Sequence, residues 1–413
     1  MFELLPHLLG GARQGGELVD SLRISRGTLK NAYERQQDRI LRFGAARSTS
    51  YAARHVHAGL DTDEFPVFRI DEAGKVQKAG LLITLEATES IWLPDERILE
   101  GLPPEMHDVA PKGFLGRSYA RRHTELRLPE DVTRWSDHHI LIAISRRGED
   151  LPGNLLVGRE SFDRYQLLRH RPRTYDDFPD LASAALAGEH VGSSAGGEQP
   201  KFTALVNGTH RIVKFAIDGT DNARRWRDLL LLEHVALQTL REAGISAAET
   251  DLVDVENVKC LVVDRFDRVG EVGRRSVMTL AAAADAVQGT WTDSAENLYR
   301  TRQIAAEDLE RVALLDAYGV LIANTDRHHY NLSLYPSDEG YRVAPAFDQL
   351  PMAYAPPASG NLRNEAIASP NPSVNTLDVW DQAQELARQF WQHADTLELS
   401  GSMREIVAVH ARR

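Results

Sequence analysis

The sequence predicts an α+β chain of several domains: a small helix-rich module, then a larger unit that is strand-rich first and helical later. Three observations carry this. The chain has 413 residues, more than the roughly 100–200 of one domain. Its N-terminal segment sets short helical patterns ahead of two β-like runs. From about residue 200 onward, strand-like runs precede long amphipathic helices. Such segregation marks α+β rather than alternating α/β order.

Composition narrows the class. Hydrophobic residues make up 42% of the chain, enough for packed cores. The one cysteine, Cys260, excludes a disulfide framework and fits a reducing compartment. The start, MFELLPHLLGG, lacks the basic leader and long apolar run of a secretory signal. The apolar cluster Leu229–Leu232, like the run Ile140–Ile144, falls far short of the ~20 residues that cross a bilayer. The expectation is a soluble, cytoplasmic protein with no membrane partner. A net charge of −12 argues against a protein coated in nucleic acid, but it hides an asymmetry. Residues 1–56 carry nine Arg and Lys against five acids, a balance of +4 that leaves about −16 for the remainder.

The first module reads as helices followed by a β-wing. Leu18, Val19 and Leu22 have helical spacing in Gly16–Leu22. Arg23 and Ile24 make a turn, and Ser25 N-caps the segment SRGTLKNAYERQQ. Strand-like Arg39–Gly44 and Ala46–Arg54 follow. This order predicts a winged helix-turn-helix over residues 1–56, with a recognition helix near Ser25–Gln37 that presents Arg26, Thr28, Lys30 and Asn31 to DNA. The wing carries Arg39, Arg42, Arg47 and Arg54, which suit phosphate contacts. A helical cap used for dimerisation is the alternative. If the module reads two half-sites, a homodimer is expected.

Residues 57–165 read as a scaffold subdomain with strand-like runs at Phe65–Ile70, Ala79–Leu85 and Ile140–Ile144. The acidic stretch Tyr175–Asp180 reads as a surface turn. Two further units are expected at 166–270 and 271–413.

Chemistry concentrates in four segments. Gly188–Phe202, GEHVGSSAGGEQPKF, places small residues where consecutive amides can cradle an anion. Asn207-Gly208 marks a hairpin between Phe202–Val206 and Arg211–Ala216. On the second strand Lys214 shares a face with Ile212 and Ala216, and a lysine there lies at an exposed edge or meets an anion. Glu233 supplies the anion: it stands four residues from both Leu229 and Leu237, inside the apolar face of the helix predicted over Arg224–Ala243. A strand lysine paired with a helix glutamate is how kinases hold the α- and β-phosphates. Finally, NTDRHHYNLSLY (Asn324–Tyr335) and VAPAFDQLP (Val343–Pro351) follow an apolar helix predicted over Leu309–Ala323. They set Asp326, Asn331 and Asp348 in the order of a base and two Mg²⁺ ligands. His328 and His329 lack a third ligand at metal spacing, so zinc is not expected.

SAGGEQPK, IVKF, VVDRFDR, NTDRHHYNLSL and PAFD together resemble the HipA family of serine/threonine kinases, over roughly residues 150–413. The resemblance implies a bilobal kinase-like fold related to phosphoinositide kinases, with ATP and Mg²⁺ as cofactors. It implies Lys214 on the ATP phosphates with Glu233 as its partner, Asp326 as base, and Asn331 and Asp348 on the metal. Ser193, Ser194, Ala195, Gly196, Gly197, Gln199 and Lys201 would form the phosphate loop. Asp264 and Phe266 would offer hinge backbone to adenine, with His328 near the nucleotide. It further implies autophosphorylation of Ser194 and protein substrates such as aminoacyl-tRNA synthetases or other translation components, in a growth-arresting toxin.

Three departures stand out. Tyr330 replaces the lysine that the family usually has before the metal-binding asparagine. Glu198 puts an acid in the loop, and Ser193 adjoins Ser194. A helix-turn-helix is fused in front, where HipA kinases rely on a separate antitoxin, HipB. That fusion resembles the YjjJ-type subgroup, and it implies operator binding in cis. A regulator whose kinase domain is weak or inactive remains the alternative reading, beside a small-molecule phosphotransferase.

Overall fold

The computed structural model describes residues 2–93, 95–187, 199–284, 289–357 and 361–413. The chain forms two compact units. The first comprises Met1–Ile70, Lys75–Ala110 and His123–Leu168, and the second Asp71–Gly74, Pro111–Arg122 and Arg169–Arg413.

The first unit opens with helices Gly15–Leu22 and Arg26–Arg35. Arg23, in the left-handed region at φ 53°, ends the first helix. The Ser25 hydroxyl caps the second by accepting from the Thr28 N–H at 3.0 Å. Strands Ile40–Phe43 and Ser50–Ala53 pair antiparallel, and Arg13–Gln14 adds a third strand beside Ser50–Ala53. Leu18, Leu29, Ala32, Ile40 and Tyr51 fill the small core between these elements.

Beyond it lies a five-stranded antiparallel sheet in the order Arg97–Glu100, Glu89–Leu93, Val76–Thr84, Glu64–Ile70, Leu155–Val157. Two of the three expected strands are present here. The third is not: Ile140–Ile144 lies in helix Asp137–Arg147, entered through a capping box between Ser136 and His139. An unbroken apolar run has no period, so a buried helix and a buried strand look alike in it. The expected turn at Tyr175–Asp180 is also shorter than read, because helix Phe178–Leu186 begins inside it with Phe178 fully buried.

The second unit contains a five-stranded sheet in the order Thr250–Val255, Val258–Asp264, Thr209–Ile217, Lys201–Val206, Pro172–Arg173. Its central hairpin turns at Asn207 and Gly208, with φ of 51° and 75°, the two positive values that a type I′ turn demands. Val213 and Phe215 pack with Phe178, Phe202 and Cys260. Ala216, Leu261 and Val263 face the other way, into the core built around helix Asp221–Glu242. Helices Trp291–Arg300, Ala306–Leu321, Trp380–Ala394 and Gly401–Ala411 complete that core. Strands Met278–Thr279, Ser333–Ser337 and Gly340–Val343 form a small sheet, and the loop between Leu321 and Ser333 carries Asp326. Among the described residues, no helix is long and apolar enough to cross a membrane.

Candidate active site

Lys214 stands on the helix-facing side of its strand, directly across from Lys201 in the antiparallel ladder. Its ammonium donates to Glu233 Oε1 at 2.5 Å, to Glu233 Oε2 at 2.7 Å and to Asp348 Oδ1 at 2.5 Å. Lys214 and Glu233 are both buried. Burial alone would lower the Lys214 pKa, but Asp348 and Glu233 outweigh it and hold the amine charged. Burial likewise pushes Asp348 up, and the ammonium groups of Lys214 and Lys201 reverse this, drawing it down to about 2. Two carboxylates on one ammonium is a high-field arrangement, stable only because every member is paired.

Asp348 reaches Lys214 from an unusual backbone. Its φ is +52°, the left-handed region that costs a non-glycine residue energy. Asn324 supports it by donating its amide to the Asp348 carbonyl at 3.2 Å, while its own side-chain oxygen accepts the Asp326 N–H at 3.0 Å. Asn331 donates to the Asp326 carbonyl at 2.9 Å and faces one Asp326 carboxylate oxygen at 3.4 Å. His328 Nε2 lies 3.7 Å from the other oxygen. The carboxyl of Asp326 is half exposed. Its pKa is raised by partial burial first, against the pull of His328 and with the like charge of Asp348 adding to the rise. So Asp326, Asn331 and Asp348, expected as a set from their spacing, are joined here through Asn324.

Residues outside the expected set hold that loop. Arg327 donates to Asp316 Oδ1 at 3.0 Å and also reaches the Asn324 carbonyl. Asp316, buried on helix Ala306–Leu321, also accepts from the Thr292 hydroxyl at 3.0 Å. Trp291 donates to the His328 carbonyl at 3.0 Å, and Ser294 meets His329 Nε2 at 2.8 Å. No local pattern flags these residues, because their partners lie on other helices.

The remaining expected residues divide. Gln199 is buried and donates to the Phe215 carbonyl at 2.5 Å, so it braces the hairpin. Lys201 lies close enough to lower the pKa of Asp348 and to act on Asp326 and Glu233. Asp264 ends its strand and pairs with Arg211. The Phe266 carbonyl accepts from the Tyr335 hydroxyl at 3.3 Å, and its ring packs on Tyr335 and Phe347. Ser193, Ser194, Ala195, Gly196, Gly197 and Glu198 lie outside the described residues. In the first unit, Arg26, Lys30, Asn31 and Arg42 are exposed and Thr28 is half-buried. Arg47 lies in the described turn at Ala46–Ser48. Arg54 departs from the expectation of a phosphate contact: its guanidinium pairs with Asp63 at 3.3 Å and Glu64 at 2.6 Å.

The donor set fits Mg²⁺, a hard cation bound through one or two carboxylates together with substrate phosphates. Asp348, ionised down to about pH 2, and the amide oxygen of Asn331 are of that kind. Among the described residues no cluster of three His, Cys, Asp or Glu forms a metal site of the protein's own.

Comparison with known proteins places this geometry in a lineage. Residues 61–166 match the middle domain of YjjJ-like toxins, and residues 193–412 match the HipA-like C-terminal domain. The toxin YjjJ of Escherichia coli K12 is 36% identical over 411 aligned residues, spanning 95% of this chain and 92% of that protein. Among solved structures, a chain of the Shewanella oneidensis MR-1 HipA, HipB and operator DNA toxin–antitoxin complex superposes with a TM-score of 0.52. It covers 84% of this chain and 95% of its own length at 14% identity, a likeness of fold. The kinase-like fold and these matches agree: the chain belongs to the HipA-like toxin family, in its YjjJ-like group.

Proposed function

We propose that this protein is an ATP- and Mg²⁺-dependent serine/threonine protein kinase, a toxin that phosphorylates its own glycine-rich loop at Ser194 and binds operator DNA through its N-terminal module. The observation that carries the kinase reading is the Lys214 ammonium shared between Glu233 and Asp348, beside the linked pair Asp326 and Asn331. Lys214 would hold ATP phosphates, with Glu233 directing its ammonium. Asp326 takes the proton of the incoming hydroxyl as its oxygen bonds to the γ-phosphorus and the bond to the ADP oxygen breaks. A raised pKa suits that role, since a base works best with a pKa near the working pH. Asp348 and Asn331 would hold Mg²⁺, which neutralises charge on the phosphates when bound.

The DNA reading is supported by the helix–turn–helix–hairpin order of residues 15–53 and by exposed Arg26, Lys30, Asn31 and Arg42. Protein substrates in translation, a homodimer and a cytoplasmic location belong to the same reading. A regulator with a weak kinase domain is favoured by one feature: exposed Tyr330 stands beside the metal-binding Asn331.

The deciding experiment is labelling with γ-labelled ATP and Mg²⁺ of the wild type and Asp326→Ala, followed by mapping of the site. Label on Ser194 or Ser193 that vanishes in the variant supports the kinase. Normal nucleotide binding with no label would leave the regulator.

A further inference from the structure

A cavity of about 470 Å³ opens beside the catalytic loop, between Thr325 and the chain that follows Asp348. Its wall is formed by Met352, Ala355, Pro357 and Ile367, with Arg363 also lining it. Thr325 is the residue next to Asp326, so the cavity begins one residue from the proposed base. Its volume falls in the range of ligand pockets, and its surface is mostly apolar.

The wall is built rigidly. Arg225, fully buried on the helix that also carries Glu233, donates to the Tyr354 carbonyl at 3.2 Å and to the Arg363 carbonyl at 2.9 Å. It also reaches Asn364 Oδ1 at 2.9 Å and Ser402 Oγ at 3.0 Å. Tyr354 accepts the Ile367 N–H at 3.0 Å on its hydroxyl and meets His410 Nε2 at 2.6 Å. Arg413 donates to the Ile367 carbonyl at 2.5 Å, and the Ala353 N–H donates to the Ala323 carbonyl at 3.0 Å. Bracing of this kind is a form of preorganisation, which favours binding.

We infer that this cavity is the docking site for the side chain next to the phosphoacceptor in a protein substrate: an extended peptide with an apolar residue beside the serine or threonine and an acidic residue close by. The inference rests on the kinase reading above and adds the substrate class to it. Position fixes the occupant. A hydroxyl within hydrogen-bond reach of Asp326 has neighbours about 3.3–3.8 Å away along an extended chain, and Thr325, the residue next to Asp326, lines the cavity. Side-chain chemistry fixes the rest. Methionine, proline and isoleucine suit an aliphatic side chain, with methionine adapting to its shape. Arg363 is exposed, and both it and Arg413 lie near enough to act on Tyr354. They offer charge complementarity to an aspartate or glutamate, with exposed Glu365 as the acid nearest in sequence.

The test is a positional-scanning library of serine- and threonine-centred peptides, phosphorylated by the full-length chain with self-labelling read in the same reactions. Ala355→Phe fills the hollow, Arg363→Glu reverses its charge, and thermal melts confirm that each folds. The wild type is expected to prefer Leu, Ile or Met beside the acceptor by about tenfold over Gly, the scale of discrimination by an apolar pocket. Ala355→Phe removes that preference, Arg363→Glu removes the preference for Asp or Glu, and both retain self-labelling. Peptides left unlabelled, labelled without preference, or labelled with a preference that survives both variants, while self-labelling persists, overturn the docking site and spare the kinase. Absence of all labelling in the wild type overturns both.

Discussion

Lys214 and Asp348, 134 residues apart in the chain, meet at 2.5 Å, so the ammonium that pairs with Glu233 also holds the carboxylate assigned to the metal. Stability and the proposed chemistry therefore meet at one nitrogen. Lys214→Met leaves two carboxylates facing each other with no cation between them. Removing one partner of a buried ion pair costs about 3–5 kcal/mol, and chemical denaturation should show a loss of that order. Lys214→Met/Glu233→Leu should recover much of that stability with phosphoryl transfer still absent. That outcome separates the fold's need for the pair from the reaction's.

Gly319 lies in a helix, where alanine is ordinarily better by up to about 1 kcal/mol. Here a Cβ would stand 2.5 Å from Arg327 Cδ, and Arg327 is fixed at its guanidinium by Asp316. Gly319→Ala must therefore displace Arg327 and, with it, its neighbour Asp326. We expect little change in melting temperature but a kcat lower by about tenfold or more, the scale of a misplaced catalytic group, with KM for ATP nearly unchanged. Steady-state kinetics beside a thermal melt decide this.

With Asp326 as the proposed base, its raised pKa, caused by partial burial and opposed by His328, is expected to set the acid limb of the pH–rate profile. A base acts deprotonated, so kcat/KM should fall as pH drops through a value above the ordinary aspartate range. In His328→Ala that opposing pull is gone, and the limb should move to higher pH. An unmoved limb would remove His328 from the electrostatics of the base.

Burial holds His210 and His410 down to about 4. For His210, nearby His170, Arg268 and Arg265 add to the lowering against the hydrogen bond to Glu271; for His410, Arg413 adds to it. Both favour their neutral forms in the fold. Their stabilising contribution is complete above about pH 6.5 and is lost as pH falls from there toward 4, at up to about 1.4 kcal/mol per pH unit for each. Unfolding followed between pH 7 and 4.5 should steepen accordingly, and His410→Gln should flatten it by one group.

Two arginines of the N-terminal module separate structural charge from the charge proposed to face DNA. Arg42 is exposed, so Arg42→Ala should weaken DNA binding and reduce the salt slope by about one, as for a lost phosphate contact. Arg54 is tied to Asp63 and Glu64. Arg54→Ala should leave both affinity and slope in place and act on stability alone. Binding titrations across salt concentrations read the two apart.

The sequence by itself determined the features that act over short range. Asn207-Gly208 dictates a type I′ turn, and strand alternation then puts Lys214 on one face with Ile212 and Ala216. The period of the next helix puts Glu233 within its apolar face, and a buried carboxylate demands a cation. The spacing of Asp326, Asn331 and Asp348 is legible for the same reason, since each is set by a loop between regular elements. Where a segment is apolar throughout, as at Ile140–Ile144, periodicity is silent and only packing chose a helix. Tertiary structure alone decided that Asp348 would turn back on Lys214 at a positive φ. It alone brought Arg225 to carbonyls 129 and 138 residues away to brace the cavity wall. Hydrogen bonds of that reach depend on where whole helices come to rest, a distance no local pattern of side chains encodes.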